Sequence, residues 1–146
     1  MKAVVNRIIP FSSVDGPGNR TAIFLQGCNI DCKYCHNPET RKLCVQCGTC
    51  VKQCPAGALS VGADGKVTFD PEKCVQCDTC IHVCPHDSSP RTCEMTPEEV
   101  YARVKKQIPF IRGISVSGGE CMLWPEFLTE LFRLAKQDGL GTLIDS

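Results

Sequence analysis

The 146 residues are enough for one domain, or for one domain carrying a small insertion. Lys plus Arg and Asp plus Glu balance at 16 each, so no net charge draws the chain to nucleic acid or anionic lipid. No apolar run approaches the roughly 20 residues that span a bilayer, and the start, Met1-Lys2-Ala3-Val4-Val5-Asn6-Arg7, lacks the apolar stretch of an export signal. A cytoplasmic protein with no membrane or nucleic-acid partner is therefore expected. Its 13 cysteines are the outlier. The count is odd, a reducing cytosol disfavours disulfides, and thiols two or three residues apart more often share a metal than a bond.

In chain order, Thr21-Ala22-Ile23-Phe24-Leu25 is a short apolar run. It reads as a buried strand that opens through Gln26-Gly27 into a metal loop. The loop carries Cys28, Cys32 and Cys35 at the spacing C-x3-C-x2-C. Three thiolates leave one iron of a 4Fe–4S cube without a protein ligand. An open coordination position is what separates a reactive metal site from a structural one. His36 directly follows Cys35, a backbone position from which closing the same cube is awkward.

Two quartets come next. Cys44, Cys47, Cys50 and Cys54 follow C-x2-C-x2-C-x3-C with Pro55 after the last, and Cys74, Cys77, Cys80 and Cys84 repeat it 30 residues later, followed by Pro85. Both contain Cys-Val-Gln-Cys-x-Thr-Cys, an internal duplication. This is the spacing of bacterial two-cluster ferredoxins, where three close cysteines grip one cube and the fourth crosses to the other. One cluster would take Cys44, Cys47, Cys50 and Cys84, the other Cys74, Cys77, Cys80 and Cys54. Zinc knuckles are the alternative for CxxC pairs, and the Cys-Pro endings and the duplication speak against them. Between the quartets, Ala58–Val61 and Lys66–Phe69 flank Asp64-Gly65, a hairpin signal.

Thr96-Pro97-Glu98-Glu99 reads as a capping box with proline at the first helical position. Val100 and Val104 share a face of that helix, which Pro109 ends by Ile108. Ile114–Ser117 is a second strand, running into Gly118-Gly119-Glu120. Pro125 begins a second helix, with Phe127, Leu128, Leu131, Phe132 and Ala135 as its apolar stripe and Gly139 as its stop. Thr142–Asp145 is a third strand. Without the quartets the order is strand, helix, strand, helix, strand: an α/β fold with two crossovers and a parallel sheet. Ligand sites of such sheets lie at the carboxyl ends of the strands, where Cys28, Gly118 and Asp145 all fall.

These residues resemble a radical S-adenosylmethionine (SAM) enzyme, specifically an activating enzyme of glycyl radical enzymes. The resemblance rests on Asp15-Gly16-Pro17-Gly18, the run Gly27 to Pro38 with its three cysteines, the ferredoxin-like insertion, and Ser117-Gly118-Gly119-Glu120. Asp145-Ser146 resembles the start of a further family motif, and the order of elements is similar to that of the YjjW-type activases. The resemblance implies a partial radical SAM (β/α) barrel, with residues 1–42 and 94–146 as core and 43–93 as a two-cluster ferredoxin-like insertion. The chain holds fewer strand–helix units than such a barrel, so an N-terminal part of a longer protein is expected.

The resemblance also implies three 4Fe–4S clusters per chain, with SAM on the open iron of the Cys28/Cys32/Cys35 cluster. Gly118, Gly119 and Glu120 would meet the SAM amino group, Tyr34 would pack near the adenine, and Asp145 and Ser146 would hold a monovalent cation beside the SAM carboxylate. An oxidoreductase is implied: reductive cleavage of SAM gives a 5′-deoxyadenosyl radical that takes a hydrogen from a glycine of a partner glycyl radical enzyme. An external low-potential donor such as flavodoxin or ferredoxin would supply the electron, with the two insertion clusters as relay or docking element. Beyond the SAM cluster no acid–base residue is required. Cys121 reads as a small hydrophobe rather than a ligand, and Cys93 has no assigned role. A radical SAM enzyme acting on a small molecule, or a plain electron-carrying ferredoxin, are the alternatives.

Overall fold

The computed structural model describes residues 1–146. In chain order the elements begin with β1 (Ala3–Ser12), β2 (Arg20–Leu25), the strands β3 (Leu59–Val61) and β4 (Val67–Phe69), and a short helix α1 (Thr79–His82). They continue with β5 (Cys93–Met95), α2 (Pro97–Lys105), β6 (Gly113–Gly118), α3 (Pro125–Gln137) and β7 (Gly141–Ile144). Five strands form the main sheet in the order β5-β1-β2-β6-β7, and β3 and β4 pair as a separate hairpin.

The three expected core strands are parallel to one another: β2 pairs with β6 from Arg20–Gly113 to Leu25–Gly118, and β6 with β7 from Gly113–Gly141 to Val116–Ile144. The sheet as a whole is mixed, which corrects the expectation of a parallel one. β1 and β5 were not read from the sequence, and both pair antiparallel, β1 with β2 on one side and with β5 on the other. Pattern reading misses β1 for a physical reason. Its register against β2 shifts between Val5 and Arg7 and again between Ile9 and Ser12, around Pro10. Proline has no N–H for the ladder, and each bulge breaks the two-residue period.

The two faces of the parallel strands differ in chemistry. Ile23 and Leu25 of β2 and Ile114 and Val116 of β6 point into the main core, where Val100 and Val104 of α2 and Phe127, Leu128, Leu131 and Ala135 of α3 cover them. Ala22, Phe24, Ser115, Ser117, Leu143 and Asp145 line a cleft of about 260 Å³ on the other side. The alternation Ile-Ser-Val-Ser in β6 is this division written in sequence.

Helix α2 starts with the capping box as read: Glu99 N–H donates to Thr96 Oγ1 at 3.2 Å, and Thr96 N–H donates to Glu99 Oε2 at 2.8 Å. It ends at Lys105, short of Ile108, in a turn that leads to the cis Ile108–Pro109 bond. Tyr101 Oη donates to Asp138 Oδ2 at 2.5 Å, tying α2 to the end of α3. Replacing Thr96 with Ala removes one side of the box. The expected cost is about 1 kcal/mol, read as a lower denaturant midpoint with an unchanged slope.

Candidate metal centres

The loop after β2 is held by one side chain. Gln26 is fully buried, and its amide satisfies every group it carries. Nε2 donates to Glu39 O at 2.6 Å and to Lys42 O at 2.7 Å, while Oε1 accepts from Asn6 Nδ2 at 2.8 Å. Its main-chain O accepts from Trp124 Nε1 at 3.1 Å. Two further backbone bonds fix the loop base: Gly27 N–H to Thr40 O and Cys28 N–H to Arg41 O, both 2.7 Å. The segment from Glu39 to Lys42, which leads into Cys44, is thus laced to the entrance of the Cys28 loop. Cys28 and Cys35 are half-buried, and Cys32 is exposed. Tyr34 is 85% exposed, and His36 is exposed.

The glycine run meets this loop by backbone contact. Gly119 N–H donates to Leu25 O at 3.0 Å and Glu120 N–H to Gly27 O at 2.8 Å. A Cβ on Gly118 would lie 2.1 Å from Leu25 O, and one on Gly119 would lie 2.3 Å from Gly27 O. Only glycine fits where two backbones cross so closely. Asp145 reaches the same rim, its N–H donating to Val116 O at 3.0 Å, and its side chain lines the cleft. Cys28, Gly118-Gly119 and Asp145 therefore stand together at the carboxyl ends of β2, β6 and β7. Glu120 is turned inward. Its carboxylate is buried and accepts from Met122 N–H at 2.9 Å and from Ser146 Oγ at 2.8 Å.

The two quartets repeat their geometry as they repeat their sequence. Gln46 N–H donates to Cys44 Sγ and Gln76 N–H to Cys74 Sγ, each at 3.4 Å. Ile30 N–H makes the equivalent 3.3 Å contact to Cys28 Sγ, so the first cysteine of all three groups accepts from the residue two positions on. Thr49 Oγ1 lies 3.3 Å from Cys47 Sγ, and Thr79 Oγ1 lies 3.2 Å from Cys77 Sγ. These hydroxyls hold both thiols below the usual range. The crossed assignment also has a geometric counterpart. One cavity is lined by Cys44, Cys47, Cys50 and Cys84 together, and Cys54 lies close enough to Cys77 to perturb it by charge.

Burial sets the remaining thiols apart. Cys50 and Cys80 pack with Leu59 in a second, small core, and desolvation pushes Cys50 up to about 11 and Cys80 upward. Cys121 is fully buried in the main core and likewise pushed up to about 11, first by desolvation and then by Glu120. A single ion would draw its sulfur donors to within about 2.3 Å of one point, and no three Cys, His, Asp or Glu side chains converge that tightly. A cube takes each thiolate on a different iron, so its donors surround a body rather than a point.

Residues 43–88 match the 4Fe-4S dicluster domain family, and residues 14–59 match the 4Fe-4S single cluster domain family. The choline trimethylamine-lyase activating enzyme of Oleidesulfovibrio alaskensis is 35% identical over 99% of this chain and 52% of its own length. The benzylsuccinate synthase activating enzyme of Thauera aromatica is 35% identical over 98% of the chain and 49% of its length. The pyruvate formate-lyase-activating enzyme of Clostridium pasteurianum is 30% identical over 97% and 42%. The chain is a relative of the glycyl-radical-enzyme activating enzymes. It spans about half the length of these relatives or less. In fold it is similar to QueE from Escherichia coli, with a TM-score of 0.55 and 17% identity over 99% of this chain and 52% of that one. That likeness covers the mixed α/β sheet with its parallel strands. No helix is long and apolar enough to cross a membrane.

Gln26 and Arg20 are the residues that sequence reading missed. Arg20 is buried with no carboxylate partner. Its Nε donates to Pro17 O and its Nη1 to Ile114 O, both at 2.9 Å, pinning the Asp15–Gly18 turn to β6. The signal for each was available: a polar side chain at either end of an otherwise apolar strand. Gln26→Leu keeps the volume but leaves the Glu39 and Lys42 carbonyls without that donor, at about 1–3 kcal/mol for each group left unsatisfied; a denaturation curve reads the loss. In iron-free protein, iodoacetamide near neutral pH should label Cys47 and Cys77 well before Cys50 and Cys121, because the thiolate is the nucleophile. Peptide mass mapping over time gives that order.

Proposed function

We propose that this chain carries the cluster-bearing half of a glycyl-radical-enzyme activating enzyme that cleaves SAM reductively. The observation that carries the reading is the junction of the Cys28 loop with Gly118-Gly119 at the sheet rim, where backbone bonds join them. The donor chemistry fits iron–sulfur cubes. Every first cysteine accepts a main-chain N–H, and hydrogen bonds to sulfur are what such clusters use to set their potential.

In this reading Cys28, Cys32 and Cys35 hold the SAM cluster, leaving one iron free for the amino and carboxylate groups of SAM. Cys44, Cys47, Cys50 and Cys84 hold a second cluster, and Cys74, Cys77, Cys80 and Cys54 hold a third. With both groups bound, the site supplies a one-electron cleavage whose 5′-deoxyadenosyl radical takes hydrogen from a glycine of the partner enzyme. The protein's own part is placement. Gly118 and Gly119 bring backbone to the rim, and Glu120 retains acceptor capacity beyond its two internal bonds for an ammonium. Asp145, with Ser146, supplies the anionic side for a monovalent cation, and the exposed Tyr34 ring is free to cover an adenine. Residues 1–42 and 94–146 form the radical SAM core, part of a (β/α) barrel, with residues 43–93 inserted into it. Cys93 itself already pairs with Val5 at the start of β5. A glycyl radical enzyme is the protein substrate, and a low-potential flavodoxin or ferredoxin is the external donor. A simple electron carrier would account for the quartets but not for the three-cysteine loop locked to the glycine rim.

Anaerobic reconstitution of a full-length relative that contains this segment, with iron, sulfide, dithionite and SAM, should yield 5′-deoxyadenosine, and a co-incubated glycyl radical enzyme should acquire a glycyl radical signal in electron paramagnetic resonance. Cys32→Ala should abolish both while keeping about eight irons, four in each insertion cube. Loss of all iron in that variant, or intact clusters with no SAM cleavage in the full-length protein, would overturn the reading.

A further inference from the structure

The two cysteine quartets are near copies, so the point at which they diverge carries information. Cys44–Cys50 reads Cys-Val-Gln-Cys-Gly-Thr-Cys and Cys74–Cys80 reads Cys-Val-Gln-Cys-Asp-Thr-Cys. One position differs, Gly48 against Asp78. Both sit in the left-handed region, at φ 75° and 61°. Glycine adopts that conformation freely, and aspartate adopts it at some cost. Asp78 has a compensating contact: its Oδ1 accepts from Arg91 Nη2 at 2.7 Å. Arg91 has no equivalent in the first half, where the same offset from Cys54 falls on the apolar Val61.

The pair holds a guanidinium beside the second quartet. Arg91 is half-buried and lines a cleft with Cys74, Gln76 and Asp78. No lysine or arginine lines the cavity shared by Cys44, Cys47, Cys50 and Cys84. Cluster potential responds to net charge, to hydrogen bonds on sulfur and to exposure. Cys54 accepts from Ala58 N–H at 3.3 Å with no counterpart at Cys84, an offset in the same direction as a cation. The bonds from the main chain to Cys44 and Cys74 and from the threonines to Cys47 and Cys77 are the same in both halves, so they cancel in the comparison. The cation does not. Each cube gains one negative charge when it takes an electron, and a fixed positive charge stabilises the reduced form.

We propose that Arg91, held in place by Asp78, makes the two insertion clusters unequal, raising the potential of the one on Cys74, Cys77, Cys80 and Cys54 above that of its twin. The inference rests on the reading of the quartets as cluster ligands. The higher-potential cluster fills first, taking one electron from a one-electron donor that is itself oxidised by one. Its twin takes the quartet whose approach is tied to the Cys28 loop, by the Cys28 N–H bond to Arg41 O three residues before Cys44.

The test is a dithionite titration of the anaerobically reconstituted full chain, followed by electron paramagnetic resonance, with iron measured for every variant. Two distinct insertion midpoints are expected. Arg91→Gln should lower the higher one and leave the other in place, and Arg91→Lys should restore most of the difference. Asp78→Asn keeps the cation but removes its counter-charge, so it should raise that midpoint. Lys136→Gln, on the exposed face of α3, should move neither. Equal midpoints in the parent protein, or Arg91→Gln moving both or neither, would overturn the inference. Should Arg91→Gln lose iron, Asp78→Asn decides alone, with a rise in support and no shift against. A parent protein that binds only the irons of the Cys28 loop would instead overturn the cluster reading beneath.

Discussion

A single buried primary amide organises the cysteine-bearing half of this molecule. Inside a protein an amide that lacks partners costs several kcal/mol, so its hydrogen bonds leave little freedom to the groups that complete them. Gln26 uses both of its donor hydrogens on carbonyls of the Glu39–Lys42 segment and its oxygen on Asn6. β1, the end of β2 and the approach to the first quartet are thereby fixed to one another. The indole of Trp124, just ahead of α3, closes the node from the far side. The three-cysteine loop springs from this anchored base, and its thiols stay near the surface.

The sheet separates stability from chemistry. On one face branched aliphatic side chains and two helices make a sealed core, and Cys121 belongs to it as filler. On the other, serines, a phenylalanine, a leucine and an aspartate border an open cleft. Arg20 anchors the turn that walls this cleft, bonding only to main-chain carbonyls. Gly113 leaves the room it needs, since a Cβ there would lie 2.7 Å from Arg20 Nη1. Small residues cluster at both ends of β6 for the same reason: another strand or side chain occupies the space.

Much of this was legible beforehand. The capping box at Thr96, the stripe on α3, the hairpin around Asp64-Gly65 and the three parallel strands follow from local periodicity and turn chemistry, and each appears within a few residues of its expected bounds. The meeting of Cys28 with Gly118 was legible from topology, because consecutive parallel strands bring their carboxyl ends to one edge. β1 and β5 were not. Bulges and Pro10 hide the period of β1, and a three-residue strand such as β5 has too little pattern to stand out. Glu120 illustrates another boundary. Its charge is evident in the sequence, but its inward turn towards Met122 and Ser146 depends on contacts made in three dimensions.

The two ends of the cysteine-rich segment between β2 and β5 lie almost at one point. Lys42, at its entrance, bridges to Ser88, near its exit, and Ser88 Oγ donates to Lys42 O at 2.7 Å. Mechanically the sheet therefore experiences the intervening cysteine-rich segment as little more than a tight loop, its ends already clasped. A change of length within the clasp therefore adds little to the separation of the two chain ends that the sheet must accommodate.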